Sequence, residues 1–221
     1  MSAGKRVGVV LSGCGFLDGA EIHEACCTLL SLDKAGAVVT CMAPDVAQMH
    51  VVDHGAGAPA EGQQRNVLAE SARIARGEIV NMATVGAEQL DALIFPGGFG
   101  AAKNLSSFAV DGPACSIHAD VDRLIKEMHG AGKPIGFICI APALGAKSLG
   151  ELGVRLTIGN DPGTAAGLEA LGAKHQNCPV DDIVVDARHK VVSTPAYMLG
   201  PSIGPVSRGI EKLVEAVLSM A

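Results

Sequence analysis

Cys139 lies where a short apolar segment meets the start of a predicted helix. Pro134–Ile138 predicts a buried strand, and Ile140–Lys147 predicts the first turns of a helix. A cysteine in such a turn has its sulfur above a helix N-terminus, where unpaired N–H groups and the helix dipole favour the thiolate. This is the geometry of a nucleophile elbow, with sulfur in place of a serine oxygen. The sequence therefore predicts a nucleophile at Cys139, and the alternative is an inert, buried thiol.

Two carboxylates, Glu21 and Glu24, lie one turn apart at the start of a helix predicted over Glu21–Ala35. Acidic residues in a first turn often do no more than complement the helix dipole. If one of them instead points across the strand ends toward Cys139, burial beside a thiolate would raise its pKa. Such a carboxyl group can act as a general acid and base. From the residues alone, either glutamate fits this role.

A glycine pair follows another apolar segment. Ala92–Phe95 predicts a buried strand that ends in a Pro-Gly-Gly turn containing Gly97 and Gly98. Two glycines let the backbone approach a ligand closely. The N–H groups of Gly98 and Ile140 could together stabilise an oxyanion. We therefore predict a substrate-binding site formed by this turn and the cysteine elbow.

The same loop continues to Lys103 and Asn104, which resemble a phosphate-binding loop only faintly. Lys103 lacks the preceding Gly and the following Ser or Thr of a Walker motif. Anchoring of the loop is the simpler explanation for both residues. Asn104 is nevertheless a candidate substrate-binding residue, because its loop leaves the carboxyl end of a strand.

A glycine-rich loop after the first predicted strand supports an alternative, a nucleotide-binding module. Gly13, Gly15 and Gly19 precede the first helix, and Asp45 after the second strand could meet a ribose. The spacing is not the standard one, and such glycine patterns have many false positives. In such a nucleotide-binding module, Cys139 would have no catalytic role.

Alternating strands and helices predict an α/β fold with a largely parallel sheet between helices, followed by a late β-hairpin. No repeat, low-complexity tract or linker divides the chain, so we expect one domain over residues 1–221. The remaining predicted strands are Lys5–Leu11, Val38–Met42, Ile79–Met82, Val154–Ile158, Ile183–Asp186 and Lys190–Thr194, and the remaining helices are Asn66–Ala75, Val121–His129, Thr164–Leu171 and Ile203–Met220.

Composition excludes several classes of function. A formal net charge of −6 argues against nucleic acid or an anionic membrane as the main partner. The seven cysteines are odd in number and include no Cys-x-x-Cys pair, so neither a disulfide framework nor a metal site is predicted. The N-terminal segment has no hydrophobic core of a signal peptide. We therefore expect a soluble cytoplasmic protein.

Five segments of the chain resemble the ElbB group, named for enhancing isoprenoid (lycopene) biosynthesis. These segments are Leu11–Gly15, Asp18–Ala25, Pro96–Ser106, Cys139–Ala143 and Thr194–Met198. The group belongs to the PfpI-like superfamily, which shares the class I glutamine amidotransferase fold. The resemblance implies a six- or seven-stranded α/β sandwich, usually a homodimer, with glyoxalase activity that needs no metal, glutathione or other cofactor.

The resemblance also implies roles for individual residues. Cys139 matches the superfamily's elbow cysteine, and Gly98 and Ile140 match its oxyanion-type amides. Its helix-borne glutamate is best matched by Glu24, with Glu21 as the second choice.

Two departures from the superfamily pattern bear on the chemistry. Many members have His directly after the cysteine, whereas this chain has Ile140, so no adjacent imidazole can activate the thiol. No histidine has Glu two residues later, so glutaminase chemistry is not expected. We expect a glyoxalase acting on glyoxal or another small dicarbonyl. A redox-sensing or chaperone-like protein with a reactive cysteine is the alternative.

Overall fold

A seven-stranded sheet, parallel except at one edge, forms the centre of the computed structural model, which describes residues 4–221. The strands are β1 (Arg6–Val10), β2 (Val38–Ala43), β3 (Val52–Asp53), β4 (Ala58–Pro59), β5 (Ile79–Asn81), β6 (Ala92–Phe95), β7 (Ile135–Ile138), β8 (Arg155–Leu156), β9 (Lys174–His175), β10 (Val184–Asp186) and β11 (Val191–Thr194). Their order in the large sheet is β10-β11-β7-β6-β1-β2-β5, and only β10 is antiparallel to its neighbour.

Helices cover both faces of this sheet. They are α1 (Ile22–Lys34), α2 (Val67–Ile74), α3 (Phe99–Lys103), α4 (Phe108–Asp111), α5 (Ala119–Gly130), α6 (Pro142–Leu149), α7 (Pro162–Ala170) and α8 (Ile203–Met220). Helices α1 and α8 pack on one face, and α5, α6 and α7 contribute to the core on the other. None of the helices in residues 4–221 is long and apolar enough to cross a membrane.

Successive side chains of each strand point to opposite faces of the sheet and thus divide the core into two parts. In β6, Leu93 and Phe95 belong to the core beside α5 and α6, whereas Ile94 belongs to the core beside α1 and α8. Successive side chains of a strand point to opposite faces, so a strand covered on both faces must be apolar throughout. This explains why the Val-, Leu- and Ile-rich segments of the sequence form the sheet. The predicted α/β fold with a late hairpin is confirmed.

The structure differs from the sequence predictions mainly in short elements. Pro44–Pro59, where the sequence predicts neither a strand nor a helix, contains the antiparallel pair β3 and β4. Within Val154–Ile158 only β8 forms, and it pairs with β9 outside the large sheet. Helices α3 and α4 were not predicted, because elements of five and four residues are too short to show a helical period.

Strand order determines where the candidate site forms. Strands β1, β6 and β7 are neighbours and run parallel, so the loops at their carboxyl ends meet at one edge of the sheet. Ligands of open α/β sheets bind in this position. The first of these loops leads into α1, which carries Glu24, and the other two hold the glycine pair and Cys139.

Candidate active site at the carboxyl end of the sheet

Cys139 follows β7 directly and has the backbone conformation of a nucleophile elbow. Its φ is +63°, which is unusual for a residue other than glycine and is typical of functional sites. The Cys139 N–H donates to the carbonyl of Thr194 at the end of β11 (3.0 Å), which ties the turn to the sheet. The side chain is almost buried, with 7% of its residue surface exposed. The predicted elbow is therefore present.

Glu24 is the carboxylate that meets this cysteine. It lies in the first turn of α1 and is fully buried. Its Oε2 accepts a hydrogen bond from Gly97 N–H (2.9 Å), and its Oε1 accepts one from Tyr197 N–H (3.2 Å). The Cys139 side chain lies beside the same carboxyl group: a Cβ at Gly97 would come within 2.4 Å of the Cys139 Cβ and 2.7 Å of Glu24 Oε2, and the Glu24 carboxylate raises the pKa of the thiol. The structure thus brings together two groups that the sequence could only list as candidates.

Glu21 occupies a different position. It is the N-cap of α1, and its Oε2 accepts a hydrogen bond from the Glu24 N–H (2.7 Å). Capping by a side-chain oxygen satisfies one of the unpaired N–H groups of a first helical turn. Glu21 also lines the cavity next to Cys139. It therefore adds negative charge near the site, whereas the contact with the thiol belongs to Glu24.

Burial controls the protonation of the pair. Desolvation raises the pKa of Glu24 to about 8, and the negative charge of Glu21 adds to this shift. Burial raises the pKa of Cys139 well above its ordinary value, and the Glu24 carboxylate raises it further. The N–H groups of Gly98 and Ile140 act in the opposite direction and lower the pKa of the thiol. The expectation that the helix N-terminus favours a resting thiolate is therefore wrong, because desolvation outweighs it.

The two glycines of the Pro-Gly-Gly turn allow three segments to approach closely. A Cβ at Gly97 would lie 2.4 Å from the Cys139 Cβ and 2.7 Å from Glu24 Oε2. Gly98 has φ +93°, and a Cβ there would lie 2.4 Å from the Glu21 nitrogen. No larger residue fits at Gly97 without a shift of backbone or of the pair. Gly97 is thus required by packing against Cys139 and Glu24, and Gly98 by packing against the backbone that precedes α1.

Asn104 is not at the site, which corrects its prediction as a substrate-binding residue. Its Nδ2 donates to the carbonyls of Ser12 and Asp18 (both 2.8 Å), and its Oδ1 accepts from the Met49 N–H (2.9 Å). An amide side chain used in this way has little capacity left for a ligand. Lys103 is also an anchor, since its Nζ donates to the Leu17 carbonyl (3.1 Å).

A cavity of about 480 Å³ opens onto the sulfur. Its lining is mainly apolar and aromatic. The lining residues are Phe16, Glu21, Gly98, Phe99, Ala102, Phe108, Ala109, Cys139, Ile140, Thr164, Tyr197 and Met198. A concave, mostly apolar site with a few convergent polar groups is typical of small-molecule binding.

Tyr197 and His23 were not identified as site residues from the sequence. Tyr197 lines the cavity, its N–H binds Glu24, and its hydroxyl lies 2.8 Å from His23 Nδ1. Tyr197 belongs to one of the segments that carry the ElbB resemblance, which was the only signal for it. The two aromatic side chains are far apart in sequence and meet because the segment after β11 lies against the first turn of α1.

The glycine-rich loop after β1 gives no support to nucleotide binding. The N–H groups of Gly13, Gly15 and Gly19 are all engaged, with Ser71 Oγ, the Ala20 carbonyl and the Gly15 carbonyl respectively. A phosphate site requires N–H groups that point at the ligand. Among residues 4–221, no group of three or more His, Cys, Asp or Glu side chains is arranged to hold a metal ion.

Comparison with known proteins identifies relatives along the whole chain. No protein-family model matches it. It is 52% identical over 224 residues to the human mitochondrial glutamine amidotransferase-like class 1 domain-containing protein 3, covering 97% of this chain and 83% of the relative. A crystal structure from Ehrlichia chaffeensis, of an isoprenoid biosynthesis protein with an amidotransferase-like domain, superposes with a TM-score of 0.90. Its identity is 35%, and the match covers 98% of this chain and 100% of that one.

More distant structures share the fold alone. A ThiJ/PfpI domain protein from Brachyspira murdochii superposes with a TM-score of 0.59 at 15% identity, covering 99% of this chain and 97% of that one. This likeness places the sheet and its helices in the PfpI-like fold that the sequence resemblance implied. It carries no information about substrate.

The expected cytoplasmic location is contradicted by the human relative, which is mitochondrial by name. The expectation depended on the lack of a hydrophobic signal-peptide core. Mitochondrial transit peptides are amphipathic and rich in Arg and Ser, so the lack of such a core has no bearing on them. At 52% identity over nearly its whole length, this chain belongs to the family of glutamine amidotransferase-like class 1 domain proteins.

Proposed function

We propose that this protein is a cofactor-independent glyoxalase of the ElbB type, which converts a small dicarbonyl to a hydroxy acid. The observation that carries the proposal is the close approach of the buried Glu24 carboxyl group to the Cys139 thiol, which lines the cavity. A nucleophile paired with a base of raised pKa is the arrangement that covalent acid–base catalysis needs. The 35% identity to the isoprenoid biosynthesis protein from Ehrlichia chaffeensis supports the ElbB type.

The first step is addition of sulfur to the aldehyde carbon of glyoxal. The fraction of protein in which Glu24 is ionised takes the thiol proton from Cys139 as the carbon–sulfur bond forms. With a pKa of about 8, Glu24 is a base near its best strength at neutral pH. The aldehyde oxygen takes up the negative charge and is then protonated, which gives a hemithioacetal. The N–H groups of Gly98 and Ile140, which lower the pKa of the thiol, supply positive potential for this step.

The second step moves a proton between adjacent carbons. Glu24 removes the proton from the carbon bonded to sulfur, and the resulting enediol is protonated on the neighbouring carbon. The product is a thioester of glycolic acid on Cys139. Water cleaves the thioester and restores the thiol, so that glyoxal and one water molecule become glycolic acid. Oxidation of one carbon balances reduction of the other, and no external oxidant or reductant enters.

A peroxide sensor receives less support from this geometry. Sensor cysteines are exposed and have a low pKa, whereas burial raises the pKa of Cys139. The homodimer that the family resemblance implies remains a prediction, which light scattering of the purified protein would test.

The test is loss of glyoxal and formation of glycolate by purified protein, with chelator present, without added thiol and in an amine-free buffer. We expect catalytic glycolate formation by the wild type and none by Cys139→Ala. Cys26→Ala is the matched control, because Cys26 is exposed on α1, and it should behave as wild type. Glycolate formation by Cys139→Ala at the wild-type rate would overturn the mechanism. No glycolate from the wild type would overturn glyoxal turnover itself.

A further inference from the structure

The aromatic residues of this protein are concentrated at one place. The chain has five Phe, one Tyr and no Trp. Phe95 and Phe137 stack on each other in the core, with ring centroids 5.3 Å apart. The other four line the cavity that opens onto Cys139, and they are Phe16, Phe99, Phe108 and Tyr197. A chain so poor in aromatic residues thus places most of them around one cavity.

Two of these rings are exposed to solvent. Phe16 and Phe99 keep 48% and 45% of their surface accessible, at the cavity next to Cys139. Exposed aromatic surface grouped around a concavity is typical of a binding site for an apolar group, since its burial by a ligand is favourable.

Charge at the cavity argues against an anionic ligand. No Lys or Arg is among the lining residues, whereas the Glu21 carboxylate is. Lys103 is nearby, but its ammonium bonds the Leu17 carbonyl and lies 4.8 Å from the centre of the Phe99 ring. A ligand carboxylate or phosphate would therefore meet negative charge without a compensating cation. A neutral ligand is favoured.

The volume of the cavity favours dicarbonyls larger than glyoxal as ligands. Glyoxal has four non-hydrogen atoms and takes up on the order of 100 Å³, if each water-sized group is given about 30 Å³. The cavity measures about 480 Å³. Bound glyoxal would leave most of the aromatic lining in contact with water, and would use little of the binding energy that the lining offers.

We propose that the cavity selects neutral 2-oxoaldehydes that carry an aromatic or other bulky apolar group, in preference to glyoxal. The inference rests on the proposed function, because it places the aldehyde carbon at the Cys139 sulfur and the apolar group against the aromatic lining. For phenylglyoxal the balance is the same as for glyoxal. Sulfur adds to the aldehyde carbon, one proton moves to the neighbouring carbon, and water releases mandelic acid and the thiol.

The first test compares kcat/KM for phenylglyoxal and glyoxal under the conditions of the glycolate assay. We expect phenylglyoxal to be preferred about 10- to 100-fold, the range that a few apolar contacts supply. Phe16→Ala should lower this preference about tenfold. Val110→Ala should leave the preference unchanged, because Val110 is 65% exposed and does not line the cavity. A preference for glyoxal, or a preference that Phe16→Ala does not alter, would overturn the inference while the proposed function stands.

The second test measures binding without turnover. Acetophenone lacks the aldehyde, so its binding to Cys139→Ser by ligand-observed NMR reports on the cavity alone. We expect acetophenone to bind and acetone not to, and benzoylformate, the anionic counterpart of phenylglyoxal, to bind at least tenfold more weakly than acetophenone. If no dicarbonyl is turned over but acetophenone binds in a Phe16-dependent manner, the proposed function fails and the ligand class survives. If acetophenone does not bind, the inference fails whatever the kinetics show.

Discussion

The Glu24 carboxyl group and the Cys139 thiol lie side by side and are both buried, although one belongs to a helix near the N-terminus and the other to a turn after β7. The Glu24 carboxylate raises the pKa of Cys139, whereas the thiol lowers the pKa of Glu24 against the larger effect of burial. The N–H groups of Gly97 and Tyr197 favour the charged form of Glu24, and those of Gly98 and Ile140 favour the thiolate. The pair therefore responds strongly to the removal of either partner.

In Glu24→Gln, the Cys139 thiol should become more reactive while the rate of turnover falls. Loss of the carboxylate charge removes a contribution that raises the pKa of Cys139, so the thiol should react faster with iodoacetamide at pH 8. Turnover should fall by on the order of 100-fold or more, because the general base is lost. Mass spectrometry of the Cys139 peptide and the glyoxal assay measure the two rates. Turnover unchanged in Glu24→Gln but lost in Glu21→Gln would move the role to Glu21.

Stability should depend on pH through Glu24. The folded-state pKa of about 8 lies above the ordinary value of 4.5, so the folded protein binds more protons than the unfolded chain between these values. The free energy of unfolding should therefore fall as pH rises from about 4.5 to 8, by on the order of 1 kcal/mol per pH unit. Urea unfolding at pH 5, 6.5 and 8 measures this slope.

The slope should be absent in Glu24→Gln and retained in Glu61→Gln, because Glu61 is exposed. Equal slopes in both variants would assign the pH dependence to other groups.

Gly97→Ala should disrupt the site more than an ordinary glycine substitution. The new Cβ would collide with the Cys139 Cβ and with Glu24 Oε2. We expect a loss of stability of about 1–3 kcal/mol from this overpacking, together with loss of turnover. Gly130→Ala is the control, because Gly130 ends α5 and a Cβ there meets nothing within 4 Å. Thermal unfolding and the glyoxal assay compare them, and similar behaviour of both variants would contradict the packing argument.

Asn104→Ala should act through stability and not through substrate binding. The substitution removes three hydrogen bonds that join its loop to Ser12, Asp18 and Met49, at about 1 kcal/mol each. We expect a lower Tm and, at a temperature where the variant stays folded, a KM close to that of the wild type. A raised KM with an unchanged Tm would instead restore Asn104 as a substrate-binding residue.

Strands and longer helices could be predicted because their signals are local. All residues of β6 and β7 and all but Arg6 of β1 are buried, and α8 has the predicted bounds Ile203–Met220. The elbow at Cys139 could be predicted because a strand, a cysteine and a helix follow one another directly in the sequence. The short helices α3 and α4 were missed because their few residues contain no helical period.

Local signals are enough to predict the fold class, the elbow cysteine and the loops from which a site is built, since periodicity and turn chemistry act over a few neighbouring residues. Folding is needed to show that Glu24 meets Cys139, that Asn104 is an anchor and that four aromatic rings line one cavity. The pKa values of Glu24 and Cys139 also depend on the folded structure. Each value is set by how completely the surrounding segments exclude water, and these segments come together only when the chain is folded.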